Sequence, residues 1–149
     1  MKKSFLLLAG LILLAFTACQ NDELVNGGSG NETAVSFSVQ LPGANAPSTR
    51  AAGDGTQVNR CIMEIYLGDK LYGERQVVPV AGNKTATFNV RLVTSQTYDF
   101  VFWADVSGEG GIKADRHYQT ANGLQNISLL GTYAGNDDSR DAFTGVLLE

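Results

Sequence analysis

Residues 34–106 alternate apolar and polar side chains with a period of two, and this alternation restricts the fold more than any other feature. It appears in residues 34–41, 58–67, 71–80, 85–93 and 97–106; the first three connections contain Gly, Pro or Asn, and the last contains Ser95 and Gln96. A period of two predicts half-buried strands, whereas an amphipathic helix needs an apolar stripe with a period of 3.6. No segment after the leader carries such a stripe. The sequence therefore predicts an all-β domain.

The alternation also predicts which side chains face the core. In residues 97–106 one face carries Tyr98, Phe100, Phe102 and Ala104, and we expect this face to be buried. The other face includes Trp103, which we expect to lie under a loop. In the second strand, Cys61, Met63, Ile65 and Leu67 share one face, and Ile62, Glu64 and Tyr66 share the other.

The C-terminal part of the sequence gives weaker signals. Residues 125–130 predict a short strand, and residues 136–139 predict a cap for a helical turn that continues through Ala142 and Phe143. Residues 146–148 begin another apolar run. About seven short strands with Gly-rich turns indicate a β-sandwich. Because the sequence closes on a strand-like run, we expect further C-terminal strands, or a strand from elsewhere, to complete the sheet.

The first residues have the layout of an export signal. Lys2 and Lys3 precede an apolar run from Phe5 to Phe16, which is shorter than the roughly 20 residues that span a bilayer. Small residues then precede Cys19, in an arrangement that resembles the lipobox of bacterial lipoproteins. This resemblance implies cleavage before Cys19 and acylation, for example with palmitate, so that lipid holds the protein on a membrane. The alternatives are an ordinary signal peptide with a chance cysteine, or an uncleaved anchor.

We therefore divide the chain into a signal peptide (residues 1–18), a flexible Gly-rich tether (19–33) and one β-sandwich domain (34–149). The acidic residues after Cys19 resemble the surface-export signal of Bacteroidota lipoproteins, which implies an outer-membrane, cell-surface location; otherwise they simply begin a solvated tether. Removing the leader leaves nine basic and fifteen acidic residues. With no basic cluster, nucleic acid is not an expected partner.

The sequence offers little reactive chemistry, and we expect no enzyme activity. Cys61 lies in an apolar run and is interpreted as a small buried hydrophobe. His117 is the one histidine, and Asp115 lies nearby, but no serine sits in a G-x-S-x-G turn, so a loop histidine is preferred over a triad. The acidic residues 136–141 fit a helix cap better than a calcium loop. We expect no metal site and no cofactor.

Two parts of the sequence resemble a known family. The segment from Thr33 to Lys70, with TAVSFSVQLP, a loop ending Ser48-Thr49-Arg50-Ala51 and a strand ending IYLGDK, resembles the fimbrillin-like lipoproteins (Mfa-like, type V pilus subunits) of Bacteroidota. The segments Tyr98–Ala104 and Arg140–Phe143 resemble a branch of that superfamily kept as a domain of unknown function. The resemblance implies a transthyretin- or immunoglobulin-like sandwich.

The resemblance also implies a way of assembling. In such pilins a trypsin-like protease cuts after an arginine behind the first strand, and a strand from another subunit replaces the strand that is lost. Here the matching residues are Arg50 and Ala51, and the displaced apolar set is Val35, Phe37, Val39 and Leu41. Arg50 is otherwise a solvated loop residue. Full pilins carry a second domain, and only one is visible here, so an accessory subunit or a truncated product is an equal alternative.

Two functions therefore follow from the sequence. The first is a pilus or adhesion subunit, with other pilin subunits or surface ligands of host or bacteria as partners. The second is a glycan-binding surface lipoprotein of a carbohydrate-uptake system, in which Tyr66, Tyr72 and Trp103 stack on sugar rings. A hydrolase would need paired catalytic groups that the sequence does not reveal.

Overall fold

Nine antiparallel strands form the domain in the computed structural model, which describes residues 31–42, 55–132, 135 and 137–148. The strands are β1 (Glu32–Gln40), β2 (Arg60–Leu67), β3 (Lys70–Leu71), β4 (Gln76–Pro79), β5 (Thr85–Val93), β6 (Asp99–Asp105), β7 (Tyr118–Gln119), β8 (Ser128–Leu129) and β9 (Phe143–Leu147). Two 3-10 turns, Leu124–Asn126 and Asp138–Arg140, are the only helical elements in these residues. The prediction of an all-β fold is confirmed.

The strands lie in two unequal layers that make a sandwich-like fold. The larger sheet has five strands, in which β2 pairs with β3, β4 and β6, and β6 pairs with β9. The smaller sheet contains β1 and β5 alone, paired over nine residues. A separate pair, β7 and β8, lies in the connection between β6 and β9. One layer of the sandwich therefore has two strands and the other has five.

The core lies between the two layers and uses the predicted faces. The buried residues include Phe100, Phe102 and Ala104 of β6, and Tyr98 directly before it. The alternate residues of β5 are buried as well. Aromatic rings join the layers: the centroids of Phe37 and Phe100 are 4.6 Å apart, and those of Phe88 and Phe102 are 5.8 Å apart. Aromatic pairs at these distances add to the stabilisation from apolar burial.

Three predictions of element boundaries are wrong in part. Residues 71–80 form two short strands, because Gly73 turns the chain at a φ of 69°. Residues 125–130 contain the end of a 3-10 turn followed by β8. The helical turn near the C-terminus ends at Arg140, so Phe143 belongs to β9, although Asp137 does cap this turn by accepting from Ser139 N. Leu67, expected in the core, is exposed at the β2–β3 turn.

The outer face of the larger sheet is covered by the connection between β6 and β9. Trp103 lies beneath this connection, with its ring 5.2 Å from that of Tyr118 in an edge-on arrangement. The prediction that Trp103 lies under a loop is confirmed. Every residue of β2 except Leu67 is buried, because one face meets the core and the other meets this connection.

Candidate functional site: a groove between two strand edges

One side of the sandwich is bordered by two strand edges, those of β1 and β9. β1 pairs only with β5, and β9 pairs only with β6. The two strands belong to different layers, and no described strand joins them. We call the space between them the edge groove.

The edge groove contains two cavities with apolar floors. One has a volume of about 310 Å³ and is lined by residues that include Val35, Phe37, Phe100 and Leu147. The other has a volume of about 220 Å³ and lies towards Val39, Leu41, Phe102 and Gly145. None of the residues lining either cavity is charged. An uncharged, apolar groove beside free strand edges is suited to an extended segment with alternating apolar side chains.

The backbone of β1 presents hydrogen-bonding groups on its open side. Leu41 N donates to Lys84 O on the β5 side at 2.9 Å, and Thr94 N donates to Asn31 O at 3.2 Å. Because successive residues of a strand turn their polar groups to opposite sides, odd-numbered residues of β1 face β5. The N–H and C=O groups of Ala34, Ser36 and Ser38 therefore point away from β5.

The same reasoning identifies the backbone N–H and C=O groups of β9 that point away from β6. Tyr72 N donates to Ile65 O at 2.7 Å, so Ile65 turns its polar groups away from β6. Phe100 lies opposite Ile65 and therefore turns its polar groups to Leu147 of β9. The neighbouring residue, Val146, consequently turns its N–H and C=O outwards.

The predicted displaced strand is β1. Val35, Phe37 and Val39 are half-buried and lie opposite Val90, Phe88 and Ala86 in register, and Leu41 is buried. All four predicted residues contact the core, and each of the first three lies beside a buried residue of β5 in the same sheet. Removal of β1 would therefore expose the apolar face and one backbone edge of β5.

The predicted cleavage residues Arg50 and Ala51 lie outside the described residues, in the connection between Pro42 and Gly55. The two ends of this connection are held together by one lysine. Lys84 O accepts from Leu41 N, and Lys84 Nζ donates to Gly55 O at 2.6 Å and to Thr56 O at 2.8 Å. Cys19 also lies outside the described residues, so its predicted lipidation stays a prediction.

A second cluster, on the outer face of the larger sheet, is built on Arg60. This side chain is fully buried and makes a bidentate ion pair with Asp105. Its remaining N–H groups donate to Asp115 Oδ1 at 2.9 Å, Ala114 O at 3.0 Å and Ile112 O at 3.3 Å. Since a guanidinium has five N–H donors, this one has every donor matched to an acceptor. The cluster ties the β6–β9 connection to the sheet.

Glu64 forms the centre of a neighbouring cluster. It is buried, and its carboxylate accepts from Arg75 Nε at 2.9 Å, from Leu124 N at 2.8 Å and from the Tyr66 hydroxyl. Burial would raise the pKa of Glu64, but these hydrogen bonds and the charge of Arg75 outweigh it and lower that pKa. Burial and the neighbouring Glu64 raise the pKa of Tyr66 to about 12. Tyr66 is thus not an exposed sugar-stacking residue, and that prediction is wrong.

His117 does not form a triad with Asp115. Asp115 accepts from Arg60 and from Thr120 N at 2.8 Å, whereas His117 Nε2 lies 2.8 Å from Ser139 Oγ. The Ser139 hydroxyl donates to the carboxylate of Asp137. Burial, together with the nearby Arg140 and Arg116, lowers the pKa of His117. This arrangement fixes the 3-10 turn before β9, because Asp137 accepts from both the backbone N–H and the hydroxyl of Ser139, and His117 contacts the same hydroxyl.

Cys61 is completely buried in the core, as predicted. Burial, with a smaller effect of Asp105, raises the pKa of its thiol to about 12, so the thiolate that would react is not formed near neutral pH. Within residues 31–42, 55–132, 135 and 137–148, no three His, Cys, Asp or Glu side chains come together to hold a metal ion. The same residues contain no helix that is long and apolar enough to cross a bilayer.

Neither the edge of β9 nor the outer clusters were predicted from the sequence. The first strand's alternation pointed to β1, but residues 143–147 carry no clear alternation, so their role as an edge was not visible. Charged residues in the middle of apolar strands, Arg60 and Glu64, are a usable signal of buried ion pairs, because isolated charges are not tolerated there.

Searches of curated proteins and of solved structures give no match. The description of a family of unknown function, DUF6562, matches residues 27–147, which include all nine strands. Because this match covers most of the sequence, the chain belongs to the DUF6562 family.

Proposed function

We propose that this protein is a surface-anchored, fimbrillin-like lipoprotein that serves as a pilus or adhesion subunit, or as an accessory to one, without catalysing a reaction. The observation that carries the proposal is the position of β1, an edge strand that pairs with a single neighbour and is only half-buried. Its side chains fill a site that another strand of the same pattern could fill.

Strand exchange in this domain would follow from simple energetics. Loss of β1 leaves Phe88 and Val90 exposed and the inner backbone edge of β5 unpaired. A strand from another subunit restores both the hydrogen bonds and the apolar burial, which contributes about 25 cal/mol per Å². The trigger in this proposal is cleavage after Arg50, in the connection whose two ends meet at Lys84.

Membrane attachment in this proposal depends on Cys19, with the residues between Cys19 and the start of β1 at Glu32 as the tether. We expect radiolabelled palmitate to enter the wild-type protein and to be lost in Cys19→Ala. Cys61→Ala is the matched control, because Cys61 is buried and should leave labelling unchanged. Labelling that persists in Cys19→Ala would exclude the lipoprotein part of the proposal.

The cleavage step has a separate test. Cells or purified protein are treated with a trypsin-like protease, and the products are examined by N-terminal sequencing and on gels without boiling. We expect a new terminus at Ala51 and a ladder of oligomers, and we expect Arg50→Ala to abolish both. Arg91→Ala, at an exposed arginine of β5, should abolish neither. If no terminus appears at Ala51 and no ladder forms, the pilin mechanism is wrong.

A glycan-binding surface lipoprotein is the alternative, and one cleft favours it. This cleft, of about 350 Å³, lies between β5 and the β3–β4 connection and includes Tyr72, Gln76, Asn89 and Arg91. An aromatic ring beside amide and guanidinium groups suits a sugar. Binding on a glycan array that is lost in Tyr72→Ala would support this function. Trp103→Ala is the comparison, since Trp103 packs beneath the β6–β9 connection.

A further inference from the structure

The two ends of β1 differ in how deeply they are buried. At the N-terminal end, Glu32, Thr33 and Ala34 are all exposed. Directly after the C-terminal end, Leu41 is only 5% exposed. The larger cavity of the edge groove, about 310 Å³, also lies beside the first half of the strand. Because side chains beside a cavity make fewer contacts, apolar burial stabilises the C-terminal end of β1 more than the N-terminal end.

Hydrogen bonds outside the β1–β5 ladder add to this difference. At the N-terminal end, the N–H and the hydroxyl of Thr94 share one acceptor, Asn31 O, at 3.2 and 3.3 Å. At the C-terminal end, the side chain of Gln40 donates to Asn83 O at 3.0 Å and accepts from Thr85 Oγ1 at 2.9 Å. Longer hydrogen bonds are weaker, so the N-terminal end of β1 is again the less firmly held.

The turn that binds Gln40 is itself held by other parts of the chain. Lys84 O accepts from Leu41 N at 2.9 Å, and Lys84 Nζ donates to Gly55 O at 2.6 Å. Gly55 N in turn donates to Asp141 Oδ2 at 2.9 Å, just before β9. The C-terminal end of β1 is therefore attached to a turn with several partners of its own.

We propose that β1 opens from its N-terminal end while its C-terminal end stays paired, and that Gln40 is the side chain that retains it. Phe37 marks the boundary, because its ring lies 4.6 Å from that of Phe100 in the other layer. In the half-open molecule, Val90 and Leu92 of β5 lose their partners on β1. Their side chains and the adjoining backbone edge of β5 then become accessible, although β1 has not left the domain.

Half-opening gives the intact chain a surface that the closed domain hides. A free backbone edge beside apolar side chains is the kind of surface that binds an extended peptide segment. This inference does not rest on the proposed function, because it needs neither cleavage at Arg50 nor a second subunit. If the chain is never cut there, the N-terminal end of β1 still opens, so the two proposals can fail separately.

The test is amide hydrogen exchange, measured by NMR on the full, uncleaved chain in detergent. The N–H groups of odd-numbered residues of β1 donate to β5, so their exchange reports the opening of this pair. We expect the N–H of Val35 to exchange at least about tenfold faster than that of Val39. Gln40→Ala should accelerate exchange at Val39 by about tenfold. Gln76→Ala, which removes a similar bond to Asn89 O of β5, should not.

Two disulfides test the direction of opening if Gln40→Ala folds poorly. Ala34 lies opposite Arg91, and Ser38 lies opposite Thr87; all four side chains are exposed. Neither pair shares ladder hydrogen bonds, and the short Cα separation of such pairs suits a disulfide. Ala34→Cys/Arg91→Cys should slow exchange at Val35 by at least about tenfold. Ser38→Cys/Thr87→Cys should leave exchange at Val35 unchanged, because it closes only the C-terminal end.

Several results would overturn the proposal. Equal exchange at Val35 and Val39 would mean that β1 opens as a whole, and faster exchange at Val39 would mean that it opens from the other end. Equal slowing of Val35 by the two disulfides would also show opening of the whole strand. Equal effects of Gln40→Ala and Gln76→Ala on Val39 would remove the role given to Gln40.

Discussion

The two faces of the five-stranded sheet are held by different kinds of interaction. The inner face packs apolar side chains against β1 and β5 and stays open along the edge groove. The outer face buries Arg60 and Glu64, each surrounded by matched partners. Apolar contacts have no direction and accept any side chain of suitable shape, whereas a buried ion pair requires particular atoms at particular distances. In the proposed function it is therefore the inner face that exchanges a strand, while the outer face keeps its covering.

The largest effect should come from breaking the outer face. Arg60→Ala leaves Asp105 buried without its partner, and we expect a loss of about 3–5 kcal/mol in the free energy of unfolding. Denaturant unfolding measures it. Arg91→Ala, on the exposed face of β5, should change stability by less than about 0.5 kcal/mol. Equal losses for the two variants would mean that the Arg60 cluster has no special role.

Two substitutions on the inner face compare the contributions of β5 and β1 to stability. Phe88→Ala removes a fully buried ring of β5, and we expect a loss of about 3–5 kcal/mol. Phe37→Ala removes the residue opposite it on β1, which is half-buried, and should cost roughly half as much. Unfolding curves of both variants test this order. A larger loss for Phe37→Ala would show that β1 is an integral strand of the core, unsuited to exchange.

The smallest expected effect is a difference in acid sensitivity. The pKa values of Glu64 and Asp115 are lowered by hydrogen bonds and by arginine partners, despite burial. Groups with lowered pKa stabilise the fold above their unfolded pKa, about 4, and this contribution is lost as the pH falls through the folded value. Stability measured between about pH 6 and pH 2 should therefore fall below pH 5. The curve should be flatter in Glu64→Gln and in Asp115→Asn.

His117 affects the curve of stability against pH at a higher pH than Glu64 and Asp115 do. Its pKa is lowered, so the folded protein favours the neutral ring, and stability begins to fall as the pH drops below the unfolded value of about 6.5. His117→Gln should remove this earlier loss and leave the later one. If none of the variants Glu64→Gln, Asp115→Asn and His117→Gln changed the curve of stability against pH, the roles given to these three side chains would be wrong.

The sequence predicted the inner face well and the outer face poorly, for a physical reason. Alternation reports which residues of β6 avoid water, and the prediction that Phe100, Phe102 and Ala104 are buried is confirmed. It does not report which residues distant in sequence will supply hydrogen bonds. The partners of Arg60 lie 45 to 55 positions away: Asp105 ends β6, and Ile112, Ala114 and Asp115 lie in the connection that follows. Short elements such as β3 and β7 were also missed, because two residues carry no period.

The sequence predicted one of the two strands that border the candidate site. β1 was identified because its apolar residues alternate cleanly, and the structure places it at an edge. The other border, β9, was expected only as an apolar run beginning at Val146, whereas the strand begins at Phe143. Which strands become edges depends on pairing across the whole domain, and pairing depends on contacts far apart in sequence.

The hydrogen bonds of Lys84 have a consequence for the timing of any cut in the connection that they bridge. Leu41 and Gly55 are each bound to this one residue, which itself adopts a left-handed backbone conformation with a φ of 63°. Severing the chain between them breaks no contact of β1 with the rest of the domain. Cleavage of the chain and dissociation of β1 are then two separate events. The time between them depends on how fast this strand of nine residues dissociates. A nicked molecule would separate into two fragments in denaturing gels while it still sedimented as one particle.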